Sequence, residues 1–221
     1  MIFFYLNEKS KLPYEKYKLL CAYANVPEDK KIRLVEINNK TVRIILPPLS
    51  ESLAEFIGAL AGDGHMNVLT NEVSISMHKD LDENYSLYLV NLYQKLFNIK
   101  ARRYFQSRYN KVKCYVYSKE LVEFLSSDYS IPTGKKKGRL HIPHKIKKKR
   151  ALLRAYLRGL YDTDGTFHRH HANDAAVGII SRDKNHIIEI KIAFERVGFS
   201  PFCKRKKSLF ISECGDWQIF P

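Results

Sequence analysis

The chain has 221 residues, 45% apolar and 12% aromatic, enough to bury a core as one domain or two half-domains, with none of the composition of a disordered segment. Lysine and arginine number 38 against 23 acids, a net charge of +15 that favours a polyanionic partner, nucleic acid first, over an acidic lipid surface. No apolar run approaches the length of a membrane span, and residues 1–6 lack the basic stretch of a signal peptide. Cys21, Cys114, Cys203 and Cys214 show neither zinc-ligand nor disulfide spacing. The expectation is a cytoplasmic chain, held wherever the host genome resides, with reduced thiols and no membrane partner.

In chain order, residues 1–49 read as an appendage: a helix over 14–23, then strands over 32–37 and 41–46 flanking an Asn38-Asn39 turn. Ser52 and Glu55 have capping-box spacing, and Leu53, Phe56, Ile57 and Leu60 follow at helical intervals, which predicts a helix running to Gly64. That helix carries Phe56-Ile57-Gly58-Ala59-Leu60-Ala61-Gly62-Asp63-Gly64. A related stretch, Leu157-Arg158-Gly159-Leu160-Tyr161-Asp162-Thr163-Asp164-Gly165, ends the same way 101 residues later (164 minus 63). Each ending puts an acid at a helix C-terminus, before a glycine expected to leave in the left-handed conformation. An acid there opposes the helix dipole unless a cation stands beside it.

The surroundings repeat as well. Residues 73–77 and 177–181 read as strands, and Leu89, Tyr93 and Leu96 correspond to Ile190, Phe194 and Val197 on amphipathic helices. Basic hairpins follow over about 101–117 and 200–212. The residues therefore predict helix, strand, helix, hairpin, written twice: a unit over residues 50–130, a basic linker over 131–148 and a second unit over 149–221. The linker reads as solvated chain or as a set of phosphate contacts. Gly58 and Gly62 lie four apart, and Gly159 and Thr163 hold the equivalent places, so small residues would let the two motif helices approach closely. Asp63 and Asp164 would then emerge side by side and share divalent cations; oxygen ligands suit magnesium. Asp162-Thr163-Asp164-Gly165 does not continue as a calcium loop, since Thr166 and Phe167 stand where a ligand and a glycine are required.

The first hairpin alternates. Arg102, Tyr104, Gln106 and Arg108 share one face with Lys111, Lys113, Tyr115 and Tyr117, opposite an apolar Val112, Cys114 and Val116. Cations, an amide and aromatics on a two-stranded ribbon suit phosphates and major-groove base edges. In the second hairpin Lys204-Arg205-Lys206-Lys207 is a block of charge rather than an alternation, and Lys204 and Lys206 are the candidate contacts. His168, His170 and His171 with Cys203 and Cys214 have no zinc-ligand spacing.

On Gly58, Asp63 and Gly64, on Gly159, Asp162, Asp164 and Gly165, and on the approach from Ile142-Pro143 to Tyr156, the chain resembles the LAGLIDADG homing endonucleases in their single-chain, two-motif form. The match spans roughly residues 50–212, and at the first motif Ala61-Gly62 replaces the usual Asp-Ala. The resemblance implies an α+β fold of two pseudo-symmetric αββαββα lobes, with motif helices at the interface and antiparallel sheets over duplex DNA. It implies a monomer making a double-strand break at one long, non-palindromic site with Mg2+, or another divalent cation such as Mn2+. Asp63 and Asp164 would hold the metals, with the carbonyls of Gly62 and Thr163 helping, and Lys113 and Lys207 would be the catalytic lysines. Met77 or His78 and Ser181 or Arg182 stand where water-ordering residues are expected. The alternative is a non-cleaving binder, either a maturase acting on intron RNA or a transcription regulator.

Overall fold

A computed structural model of the chain describes residues 19, 22–23, 25, 32–37, 40–171, 174–181, 183–205 and 208–211, with side chains described for 44–167, 177–181 and 183–201 and for the isolated residues before 32. Of the expected 14–23 helix, only Leu19, Ala22 and Tyr23 fall among these, all helical; the rest of it lies outside the described residues. Strands β1 (Ile32–Ile37) and β2 (Lys40–Ile45) pair antiparallel, as the Asn38-Asn39 turn predicts. Ile44 and Leu46 are buried in the same apolar core as the rest of the chain, so the appendage is seated on the fold.

The first unit is α1 (Glu51–Ala61), β3 (Gly64–Asn67), β4 (Glu72–His78), α2 (Glu83–Phe97), β5 (Arg102–Gln106), β6 (Lys111–Tyr117) and α3 (Lys119–Tyr129). Its four strands form an antiparallel sheet in the order β3-β4-β6-β5. After a short helix α4 (His144–Lys147), the second unit repeats the plan as α5 (Arg150–Asp164), β7 (Gly165–His171), β8 (Asp174–Ile180), α6 (Lys184–Val197), β9 (Phe202–Arg205) and β10 (Ser208–Ile211). Its sheet order, β7-β8-β10-β9, is the same, and no helix answering α3 is among the described residues. This is an α+β fold of antiparallel sheets. Strands β3 and β7 are absent from the residue-level expectation. Gly64-His65-Met66-Asn67 has a single apolar side chain to bury, and it leaves the helix with only a two-residue turn to announce a strand. No helix among the described residues is long and apolar enough to cross a membrane.

Two details of α1 correct the expected helix. Its cap is Ser50, whose hydroxyl accepts from the Leu53 amide at 3.3 Å; Ser52 and Glu55 do not form the box. Glu55 is instead almost fully buried. It accepts from the Tyr88 hydroxyl at 2.6 Å and is paired with Arg158 of α5, so an acid that reads as a local cap is a tie between the units. Every residue from Leu53 to Ala61 is buried, as befits a helix enclosed on all sides.

The glycines explain how α1 and α5 lie together. A Cβ on Gly58 would fall on the Tyr156 carbonyl and beside the Leu160 amide; one on Gly159 would fall on the Glu55 carbonyl and beside the Ala59 amide. These reciprocal approaches to backbone are closer than any real Cβ tolerates, so the helices cross backbone to backbone. Gly64 and Gly165 are not in the left-handed region, contrary to expectation. They are glycines for space: a Cβ at Gly64 would strike the Leu60 carbonyl, and one at Gly165 the Tyr161 carbonyl and ring.

Candidate acid pair and basic sheet face

The crossing of α1 and α5 brings the two C-termini together. A Cβ on Gly62 would meet Thr163 Oγ1 and would lie 3.3 Å from Asp164 Cγ, which puts the Asp164 carboxyl against the end of α1, next to Asp63. Neither helix has a basic residue in its last turn to offset these acids. The Asp164 pKa rises to about 6, mainly because burial disfavours the charge and then because Asp63 repels it, with Lys136 pulling the other way. Asp63 is raised too, by burial first, against Lys136 and Lys111, with Asp82 adding to the rise. Beside them Asp162 rises to about 6, through burial and the field of Glu55.

The counter-charge comes from the linker. Lys136 Nζ donates to the carbonyls of Leu60 at 3.2 Å and Ala61 at 2.9 Å, and to that of Gly62, capping the end of α1 while facing both acids. Burial nonetheless lowers the Lys136 pKa below the usual lysine range. This segment is not a merely solvated connector, although Lys135, Lys137, Arg139, Lys145 and Lys148 stay exposed. Ile131, Leu140, Ile142 and Ile146 are buried, and Glu189 of α6 accepts from the Ile142 amide at 2.8 Å and pairs with Lys147 at 3.1 Å. Lys136 could not be singled out from the residues alone, because a lysine among lysines carries no periodicity.

The site offers two carboxylates with the carbonyl ends of two helices, an all-oxygen donor set that suits a hard divalent cation. Two crowded acids whose repulsion raises a pKa are what such a cation would relieve. Among the described residues no group of three or more His, Cys, Asp or Glu gathers, so the fit rests on this pair with backbone oxygens and water. In metal-free protein the raised Asp164 pKa also fixes a pH dependence. The native carboxyl binds its proton more tightly than the unfolded one, so its contribution to stability falls as pH rises from about 4 to about 6 and stays lost above that. Asp164→Asn therefore gains melting temperature relative to the parent at pH 7.5 in EDTA, and the gain disappears at pH 4; a pH-independent difference between the two melting curves would refute this.

The sheet of the first unit keeps the expected alternation. Register aligns His65, Ser74, Tyr115 and Arg102 across the four strands, then Ser76, Lys113 and Tyr104, then His78, Lys111 and Gln106, so all of these share one face. Val112, Cys114 and Val116 are buried on the other face. Arg102, Tyr104 and Lys111 are exposed, Gln106, Lys113 and Tyr115 half-buried, and Arg108 is exposed in the turn that joins β5 to β6. Lys113 is engaged: it bonds both Glu72 oxygens at 3.2 Å and lies 5.1 Å from the Tyr115 ring centre. The hairpin lysine whose field reaches Asp63 is Lys111. Met77 is buried in the core, whereas His78 is on the polar face, its ring accepting from the Asp80 and Leu81 amides at 3.3 and 3.2 Å and meeting Asn110 at 2.9 Å. Ser181 is buried and accepts from the Asp183 amide at 3.2 Å. Thr163 Oγ1 donates within α5 to Gly159 and Leu160. Arg182, Lys206 and Lys207 lie outside the described residues, and for Lys204 and the histidines of β7 only the backbone is described.

Residues 151–210 match the family model described as a LAGLIDADG-like domain. A curated relative, the replication factor C small subunit of Methanocaldococcus jannaschii, is 36% identical over 124 residues; the match takes in 55% of this chain and only 6% of that protein. Among solved structures, the N-terminal LAGLIDADG domain of DUF199/WhiA superposes with a TM-score of 0.50 at 15% identity, covering 76% of this chain and 79% of that one. I-DmoI in complex with DNA and Ca gives a TM-score of 0.49 at 12% identity, covering 73% of this chain and 82% of that one. The family-model match takes in α5 and the sheet that follows it, and the likeness to the WhiA domain is one of fold.

Proposed function

We propose that the chain is a single-chain, two-motif endonuclease that cuts both strands of a long, non-palindromic DNA site in a divalent-metal-dependent reaction. The observation that carries this reading is the acid pair: Asp63 and Asp164 face each other across a backbone-to-backbone helix crossing, at the seam between two sheets of like topology. In its favour stands the LAGLIDADG-like match over residues 151–210. Asp63 and Asp164, with the carbonyls of Gly62 and Thr163, would hold the cation, which supplies water activation and charge neutralisation at the phosphate. The exposed face of β5 and β6 would bind duplex DNA through Arg102, Tyr104, Gln106, Arg108, Lys111 and Tyr115, and Lys204 and Lys206 would extend the contact from the second unit. Lys111 takes the place beside the scissile phosphate that the resemblance gives to Lys113, because Lys113 is committed to Glu72 and Lys111 acts on Asp63. Lys207 would serve the other strand. The protein acts as a monomer, since one chain supplies both acids.

The test is selection of cleaved ends from a randomised duplex library with Mg2+, run beside Asp63→Asn and Asp164→Asn. Recovery of one extended site with the parent alone supports the reading, and identical products from all three proteins refute it. Binding is also expected to be steeply salt-dependent. About 6 to 10 phosphate contacts lower affinity by about 10³ to 10⁵ between 50 and 200 mM salt, and a flat salt titration would contradict a phosphate-dominated interface.

One observation favours a second reading. Lys136 already takes the carbonyl end of α1 and offsets part of the charge of both acids, which would suit a fold that binds DNA without cutting it. Specific binding to a selected duplex with no metal-dependent nicking would establish that alternative.

A further inference from the structure

The segment that delivers Lys136 is shaped at both ends. Gly134 and Gly138 bracket it with φ of 71° and 78°, and neither would meet any atom within 4 Å if it carried a Cβ, so these glycines are there for backbone conformation and not for space. On one side the Gly134 amide donates to the Met66 carbonyl at the end of β3, at 2.8 Å. On the other, the amides of Gly138 and Leu140 donate to Asp183 Oδ2 at 2.7 and 3.4 Å, while the same carboxylate caps α6 through Asn185 and His186. Arg139 closes the loop on itself, its amide donating to the Lys136 carbonyl at 2.9 Å and its guanidinium to the Thr133 carbonyl at 3.1 Å. The strap is thus tied to the first unit by β3 and to the second by the start of α6. Its one inward lysine ends on the Gly62 carbonyl, against Asp63 and Asp164.

We propose that Lys136 is a resident cation of the acid pair, a strap-borne ammonium that holds the two helix ends together in the metal-free protein and that a divalent cation must displace from the Gly62 carbonyl to enter. This rests on the metal reading of the pair. The ammonium and the cation compete for the same oxygen and neutralise the same acids, so they exclude each other. A lysine arm is flexible beyond its anchored backbone, and withdrawal of the side chain frees the site without moving either helix.

The experiment is Mn2+ binding, followed by the loss of the free-ion electron paramagnetic resonance signal and by Mn2+-dependent melting, on the full chain as parent, Lys136→Met and Lys136→Arg. Lys136→Met should bind Mn2+ at least about 10-fold more tightly than the parent. It should melt lower than the parent in EDTA and recover with Mn2+, while the parent shifts less. Lys136→Arg keeps the charge and should bind no more tightly than the parent. Binding by the parent with equal affinity in Lys136→Met overturns the displacement and leaves the metal reading intact. No Mn2+ binding by any of the three proteins overturns both. If Lys136→Met melts too low in EDTA for the resonance titration, its melting temperature against Mn2+ reads the same affinity.

Discussion

Asp164→Asn is expected to lower the rate of DNA cleavage by about 10³-fold or more, equivalent to about 4 kcal/mol of transition-state stabilisation, while leaving affinity for the selected duplex within about threefold. The reason is positional. Asp164 terminates α5 with its carboxyl against Gly62 and beside Asp63, and it is not among the side chains of β5 and β6 that would carry the phosphate contacts. Asparagine keeps the shape and removes only the charge, and the Lys136 ammonium would then face one acid instead of two. Asp63→Asn should behave alike, with the difference that Asp63 also feels Lys111, so its loss disturbs the hairpin lysine as well. Single-turnover cleavage and equilibrium binding on one duplex separate the two effects. A parallel loss of binding and cleavage would mean that the acids hold the fold and not the chemistry.

The second large effect is on stability. Gly159→Val should cost about 3 kcal/mol or more, and Gly58→Val a similar amount, enough to consume much of the stability of an ordinary domain. The branched side chain would meet a carbonyl and an amide of the opposing helix, atoms held by their own helical hydrogen bonds and unable to turn aside. Relief requires the two helices to separate, which opens the core between the units and drags Asp63 from Asp164. Because Gly58 and Gly159 hold equivalent places and press on the same crossing, the double variant should cost less than the sum of the two. Chemical denaturation of the three proteins checks this. A cost near that of a surface substitution would show that the helices do not cross as closely as described.

Much of this architecture was legible in the residues. The glycine pairs and the repeated acids pointed to a close helix crossing with two carboxylates at one end, and the alternation over residues 102–117 separated a polar sheet face from a core face with the correct parity. What escaped was whatever depends on partners distant in sequence. Glu55 has the spacing of a cap and is in fact an interhelical tie to Arg158, a pairing that no local pattern encodes. Gly64 and Gly165 suggested left-handed turns because glycine commonly serves them, whereas here the constraint is a carbonyl in the preceding turn. Strand β3 was too short and too polar to stand out, and Lys136 was hidden in a basic linker where Lys135, Lys137, Lys145 and Lys148 are exposed. The placement of Lys113 against Glu72 belongs with these, because only the register of β4 with β6 brings that acid within reach.

The central claim is that Asp63 and Asp164 form one shared divalent-cation site. The most direct measurement is calorimetric titration of Mn2+ into the complex of protein with its selected duplex, for the parent, Asp63→Asn and Asp164→Asn. The account predicts that either single substitution weakens Mn2+ binding by at least about tenfold, because each removes half of one donor set. Full-strength Mn2+ binding in both variants would contradict it.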